Sequence, residues 1–137
     1  MNSSKILIDT NVLSYVFKNH SFGLAYKEII LDYQICLISF QTLAELKLWA
    51  ATSNWGENRK LQIDKFLDSF VTIYPDQETC LYWGDLMNSS RRKGIHLSAT
   101  DAWIAATAIQ LSVPLLTHNY NDFAHLQNLE LITRYKI

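Results

Sequence analysis

Apolar positions along the chain fall into two kinds of run. Residues 5–8, 35–39, 71–74, 115–117 and 129–132 form short, nearly unbroken apolar stretches with the length of buried strands. Between them, residues 10–19, 21–32, 40–53, 57–69, 76–93 and 100–111 carry the longer patterning of helices. The fifth helix closes on Arg91-Arg92-Lys93-Gly94, where cations meet the carbonyl end of the helix dipole and a glycine stops the helix. Strands that are apolar throughout need cover on both faces, and their alternation with helices predicts parallel pairing. The expected fold is an α/β three-layer sandwich around a central, mostly parallel five-stranded sheet.

Composition limits this to one domain. The 137 residues are 49% hydrophobic and 18% charged, enough for a buried core without disulfides or a structural metal, and four Gly and two Pro leave no room for a linker. A single domain over residues 1–137 is expected. Twelve Lys and Arg against thirteen Asp and Glu give a net charge of -1, so no overall field draws in a polyanion. Nucleic acid would have to be held by a local patch or through metal ions. Cys36 and Cys80 lie far apart in apolar stretches and read as two buried, reduced thiols. The first apolar run meets Asp9 too soon for a signal peptide, and the run from Ala102 to Leu116 is broken by Gln110, Ser112 and Pro114. The expectation is a cytoplasmic protein.

In open parallel sheets ligands gather beyond the carboxyl ends of the strands. Four acids are expected at that edge. Asp9 directly follows Ile6-Leu7-Ile8, and Glu45 sits in Thr42-Leu43-Ala44-Glu45-Leu46, two turns past the second strand. Asp101 heads an apolar face that continues through Ile104, Ala105 and Ala108, and Asp122 follows the fourth strand. Each also has a local reading: a helix cap for Asp9, a solvated helical side chain for Glu45, a Ser98-x-x-Asp101 cap, and a turn at Asp122. Those readings leave their convergence on one edge unexplained.

Clustered carboxylates repel one another unless a cation neutralises them, and oxygen donors flanked by Thr and Asn suit Mg²⁺ or Mn²⁺. Zn²⁺ would recruit His or Cys at short spacing. His118 and Asp122 stand at i and i+4, but a loop is expected there, and His20, His96 and His125 read as surface or capping residues. Carboxylates holding one or two divalent ions suit in-line displacement at phosphorus, hence phosphodiester hydrolysis. The chain lacks the nucleophile elbow, the phosphate-binding glycine loops and a Cys set beside a His. A glycosidase needs only two acids. A receiver-like phosphoacceptor domain would want an adjacent acid pair after the first strand and a Lys after the last. An aspartyl-nucleophile phosphohydrolase would want an acid at position 11, where this chain has Asn.

Four segments carry a resemblance: Ile6-Leu7-Ile8-Asp9-Thr10-Asn11-Val12-Leu13, Thr42-Leu43-Ala44-Glu45-Leu46, Asp101-Ala102-Trp103-Ile104-Ala105-Ala106-Thr107-Ala108 and Leu116-Thr117-His118-Asn119-Tyr120-Asn121-Asp122-Phe123. In this order and spacing, over almost the whole chain, they resemble the PIN-domain family, specifically the VapC-type toxins of type II toxin–antitoxin pairs. The resemblance implies that Asp9, Glu45, Asp101 and Asp122 bind Mg²⁺ or Mn²⁺, and that Asn11, Thr117 and Asn119 position carboxylates and water. It further implies endonucleolytic cleavage of RNA, and an antitoxin partner that inserts a C-terminal segment into the acidic site. His118 and Ser98 depart from common family choices, Ser98 standing where Pro is frequent; neither is an implied ligand.

Because the site itself is negative, RNA would be held by cations elsewhere, with Lys47, Arg59, Lys60, Arg91, Arg92 and Lys93 as candidates. Arg91–Lys93 also have a plain role in compensating the helix dipole. Trp49, Trp55, Trp83 and Trp103, with Tyr15, Tyr26, Tyr33 and Tyr82, are read mainly as core or interface, with base stacking as the alternative. Surplus apolar residues on the helices before Asn54 and after Asp76 point to a homodimer, as PIN relatives commonly form. A non-catalytic PIN-like binding module and a housekeeping PIN nuclease without an antitoxin are the competing readings.

Overall fold

The computed structural model describes residues 4–135; positions 1–3 and 136–137 of the expected domain lie outside the described residues. Five strands, β1 (Lys5–Ile8), β2 (Ile35–Ser39), β3 (Val71–Ile73), β4 (Leu115–Leu116) and β5 (Leu131–Ile132), form one sheet in the order β3-β2-β1-β4-β5. Every pairing is parallel. The helices are α1 (Thr10–Phe17), α2 (Ser21–Leu31), α3 (Phe40–Thr52), α4 (Glu57–Leu67), α5 (Gln77–Arg92), α6 (Ala99–Leu111) and α7 (Tyr120–Phe123).

Side chains alternate across the sheet, so each strand feeds two cores. Ile6, Ile8, Ile38 and Leu116 pack with Val12, Leu13, Tyr26, Leu46, Ile63 and Leu67 on the face covered by α1–α4. Leu7, Leu37 and Leu115 face Ile104, Ala105, Ala108 and Phe123, under α6 and α7. Helix α6 is buried on most of its circumference, from Ala102 through Ala108, because α5 lies on its far side. Gln110, in the last turn of α6, donates to Asp76 at the start of α5 over 2.9 Å and also meets Thr79. The two helices are therefore antiparallel.

Boundaries differ from the sequence reading where capping decides them. Asp76 is not helical; it caps α5 in a reciprocal box with Thr79. Ser98 caps α6, and Gly94, at φ 69°, follows α5 in the left-handed conformation that suits glycine. The expected loop after β4 contains the single turn α7, too short to leave a periodic signal. Cys36 is only half-buried and Cys80 is exposed, against the expectation of two buried thiols. In α5 the buried positions are Thr79 and Ser90, while Leu81 is 65% exposed, so its apolar stretch does not mark its inner face. Among the described residues no helix is long and apolar enough to cross a membrane.

Candidate active site

The chain leaves β1 for β2 and β3 on one side and returns to β4 on the other, so the order reverses between β1 and β4. A parallel sheet opens a crevice at such a switch point. Asp9 stands there, one residue past β1, 4% exposed. Its backbone N–H donates to the Leu116 carbonyl at 2.9 Å, continuing the parallel ladder one residue beyond the Ile8–Leu116 pair. That register sets Thr117 beside it, and the Thr117 hydroxyl donates to Asp9 Oδ2 at 2.8 Å. The Asn119 backbone N–H donates in turn to Thr117 Oγ1 at 3.0 Å. Asp9 Oδ1 accepts from the Thr10 N–H at 2.8 Å, so the capping reading also holds.

Glu45 reaches the same crevice from the second turn of α3, which starts where Ser39 caps it at the end of β2. Thr10 Oγ1 lies 2.9 Å from both Glu45 Oε1 and Thr42 Oγ1. A hydroxyl has one proton and a carboxylate only accepts, so Thr10 donates to Glu45 and accepts from the fully buried Thr42. Asp101 is the third residue of α6, its N–H donating to Ser98 Oγ at 3.1 Å, so its capping reading holds on the backbone side. Asp122 lies exposed on α7.

Electrostatics tie the four together. Burial is the main force pushing the Asp9 carboxyl up to about 7; the Thr117 and Thr10 hydrogen bonds oppose it, and the charges of Asp101 and Glu45 add to the rise. Burial likewise raises Asp101, Ser98 opposes, and the charges of Asp122 and Glu45 reinforce the rise. None of the four has a Lys, Arg or His in ion-pair contact among the described residues. Nor are three Asp, Glu, His or Cys side chains drawn up as a finished ion cage among those residues. The donor set is all oxygen and anionic, with a nearly buried carboxylate that meets no counter-charge among the described residues, a chemistry that fits a hard divalent cation.

The supporting residues divide. Thr117 and the Asn119 backbone reach Asp9 in a chain, whereas Asn11 is exposed in the first turn of α1, where its carbonyl accepts from Ser14. Thr10 and Thr42 are contributors that the sequence reading passed over; their signal was their position within two of the quoted segments. His118 turns away from the acids: 9% exposed, it lies 2.8 Å through Nδ1 from the Tyr26 hydroxyl and packs against Tyr15, Phe22 and Tyr135. His20 caps α2, as expected of it.

Among the candidate cations, Lys47 pairs with Asp64 at 3.0 Å, and Arg59 covers the Phe17 and Trp55 rings while bonding Gln62. Lys60 is exposed on α4, away from the acid-bearing segments in sequence. Arg91, Arg92 and Lys93 are exposed where α5 ends, beside the first turn of α6. Trp49 and Trp55 pack onto the α1–α4 core, while Trp83 stacks on Trp103 at 5.1 Å with Phe40 edge-on to Trp103.

The PIN domain model matches residues 6–129, a span that contains all four acids. The sequence is similar to Ribonuclease VapC1 of Haemophilus influenzae, 30% identical over 125 residues that cover 90% of this chain and 93% of that protein. It is also similar to Ribonuclease VapC1 of Rickettsia felis, 33% identical over 100 residues, 70% of this chain and 74% of that protein. Among solved structures, VapBC2 from Rickettsia felis bound to a DNA fragment from their promoter matches with a TM-score of 0.85 at 26% identity, over 96% of this chain and 99% of that one. VapBC-1 from nontypeable Haemophilus influenzae matches with a TM-score of 0.82 at 27% identity, over 94% and 97%. With the sheet order, the acidic crevice and these likenesses in agreement, the chain belongs to the PIN-domain family.

Proposed function

We propose that this chain is a divalent-metal-dependent endoribonuclease and the toxin of a type II toxin–antitoxin pair. The observation that carries the reading is Asp9: a nearly buried carboxylate at the switch point, raised by burial and by two neighbouring carboxylates, with no cation in ion-pair contact with it among the described residues. The relatives named as ribonucleases support RNA as the substrate, and the neighbours solved as VapBC complexes support a cognate antitoxin.

Asp9 and Asp101 would hold Mg²⁺ or Mn²⁺, with Asp122 joining directly or through water. Bound there, the ion supplies Lewis acidity at the phosphoryl oxygen and makes a neighbouring water more acidic. Glu45, aimed by Thr10, orients the attacking water and accepts its proton. The Thr117 hydroxyl favours the ionised form of Asp9 and fixes its position, and the Asn119 N–H keeps Thr117 in register. Asn11, in the first turn after Asp9, positions water at the rim. The water oxygen adds to phosphorus as its proton passes to Glu45, the bond to the bridging ribose oxygen breaks, and that oxygen leaves with a proton taken from solvent. Exposed Leu48 on α3 and Leu81 on α5 support a homodimer, and a cytoplasmic location suits an RNA substrate.

Incubating the purified protein with structured RNA in Mg²⁺ or Mn²⁺, in chelator, and as the Asp9→Asn variant tests the reading. Cleavage should require the metal and vanish in the variant. Equal cleavage by both proteins, or cleavage in chelator, would remove the catalytic assignment.

A further inference from the structure

The acidic crevice repels the backbone of any RNA it cuts, so a cationic grip must lie close by. The antiparallel pairing of α5 and α6 brings three of the six candidate cations, Arg91, Arg92 and Lys93, to the end of α5 beside the first turn of α6. Of these, Arg91 lines the cavity there. Gln110 ties the end of α6 to Asp76 at the start of α5, so the last turn of α5 stands beside the first turn of α6, the turn that carries Asp101. Between them opens a cavity of about 220 Å³ lined by Arg91, Ile95, His96, Leu97 and Ser98. Ser98, the cap of α6, lines this cavity and accepts from the Asp101 N–H, so the cavity opens beside the turn that carries Asp101.

We propose that Arg91 and His96 form a phosphate-holding subsite beside the acidic crevice, gripping the RNA backbone next to the bond that is cut. The assignment rests on the ribonuclease reading above and adds a residue, His96, whose sequence context reads only as surface or cap. Arg91 brings a permanent charge and a planar fork of donors matched to phosphate oxygens, and His96 brings a ring N–H from the facing loop. Both are exposed, as a backbone-binding pair must be. By contrast, Lys47 is engaged with Asp64, and Arg59 with the Phe17 and Trp55 rings.

The test measures binding of a fluorescent single-stranded RNA by anisotropy across a salt series, in the uncut Asp9→Asn background. Steady-state cleavage by the otherwise native protein accompanies it. Arg91→Ala and His96→Ala should each weaken binding about three- to tenfold, and Arg91→Ala should flatten the plot of log Kd against log salt by about 0.7, the loss of one phosphate contact. In cleavage, KM should rise with kcat nearly unchanged, Arg91→Lys should recover part of the loss, and Lys65→Ala on α4 should change nothing. If the native protein cuts RNA and Arg91→Ala and His96→Ala, folded by thermal melt, keep its KM and salt slope, the subsite is wrong and the ribonuclease reading stands. If the native protein neither binds nor cuts RNA, that reading fails and the subsite with it.

Discussion

Thr117 donates its hydroxyl proton to Asp9 Oδ2 at 2.8 Å, across 108 positions of sequence. The bond exists because β4 runs parallel to β1 in the register that pairs Leu116 with Ile8, so the first residue past each strand meets the other. Its acceptor is a carboxylate that burial drives toward the neutral form, and the hydroxyl is the strongest of the contacts opposing that drive. Thr117→Val should therefore destabilise the metal-free protein by about 1.5–3 kcal/mol at pH 8, where a charged acceptor loses its donor. The loss should shrink at pH 5, and Thr117→Ser should retain most of the stability. Denaturant titrations at the two pH values make the measurement; an equal loss at both would mean that Thr117 only fills space.

Asp9 itself gives a pH dependence whose sign is set by its raised value. The folded chain holds the Asp9 proton up to about pH 7, whereas the ordinary carboxyl value is 3.8. Between those limits the folded state binds a proton that the unfolded state has released, so stability falls as pH rises, by at most about 1.4 kcal/mol per pH unit. The penalty is absent below the lower value and complete above the upper one. In chelator, Asp9→Asn should gain on the native protein by on the order of a few kcal/mol between pH 5 and pH 8. A difference that does not change with pH would show that Asp9 titrates as an ordinary carboxyl.

Asp101 separates a metal ligand from a mere cap. Its N–H bond to Ser98 survives substitution of the side chain, but its charge does not. Mg²⁺ at about five times its dissociation constant should stabilise the native fold by roughly 1 kcal/mol. Asp101→Asn should raise the metal-free melting temperature, because one of the repelling charges is gone, and should abolish the gain on adding Mg²⁺. An undiminished metal response in the variant would leave Asp101 as part of the cap alone.

Tyr26 and His118 form a buried polar pair that anchors the segment between Thr117 and α7. Tyr26 is fully buried, and its hydroxyl also lies 3.4 Å from Thr133 Oγ1. Tyr26→Phe removes the partner of His118 Nδ1 and leaves a buried ring nitrogen unsatisfied, a cost of about 1–3 kcal/mol. A lower Tm with metal-dependent cleavage retained below it is the expected result. Unchanged stability would mean that His118 turns to water instead.

The quoted segments made the candidate acids legible, since each pairs an acid with a strand end or a helix face that can be read from local pattern. Asp101 shows why: its face, Ile104, Ala105 and Ala108, is buried as the spacing requires. The single turn α7 was not legible, because four residues leave no periodic trace. The exposure of Cys80 and Leu81 was not legible either. Helix α5 turns Thr79 and Ser90 inward, and their hydroxyls are satisfied by Asp76 and Gln110 and by His125, partners that only the fold supplies.

By itself, the order of residues determined the alternation of strands and helices, the parallel character of the sheet, and the end of the sheet at which the acids would collect. Those follow from local periodicity and from the fixed hand and direction of strand–helix units. Tertiary structure alone decided that Asp9 would be nearly sealed from water, that Thr10 and Thr42 would aim Glu45, and that Lys47 would meet Asp64 and Arg59 the Phe17 and Trp55 rings. Burial, hydroxyl partners and the neighbours of a cation depend on segments tens of residues apart, and local pattern carries no record of who meets whom.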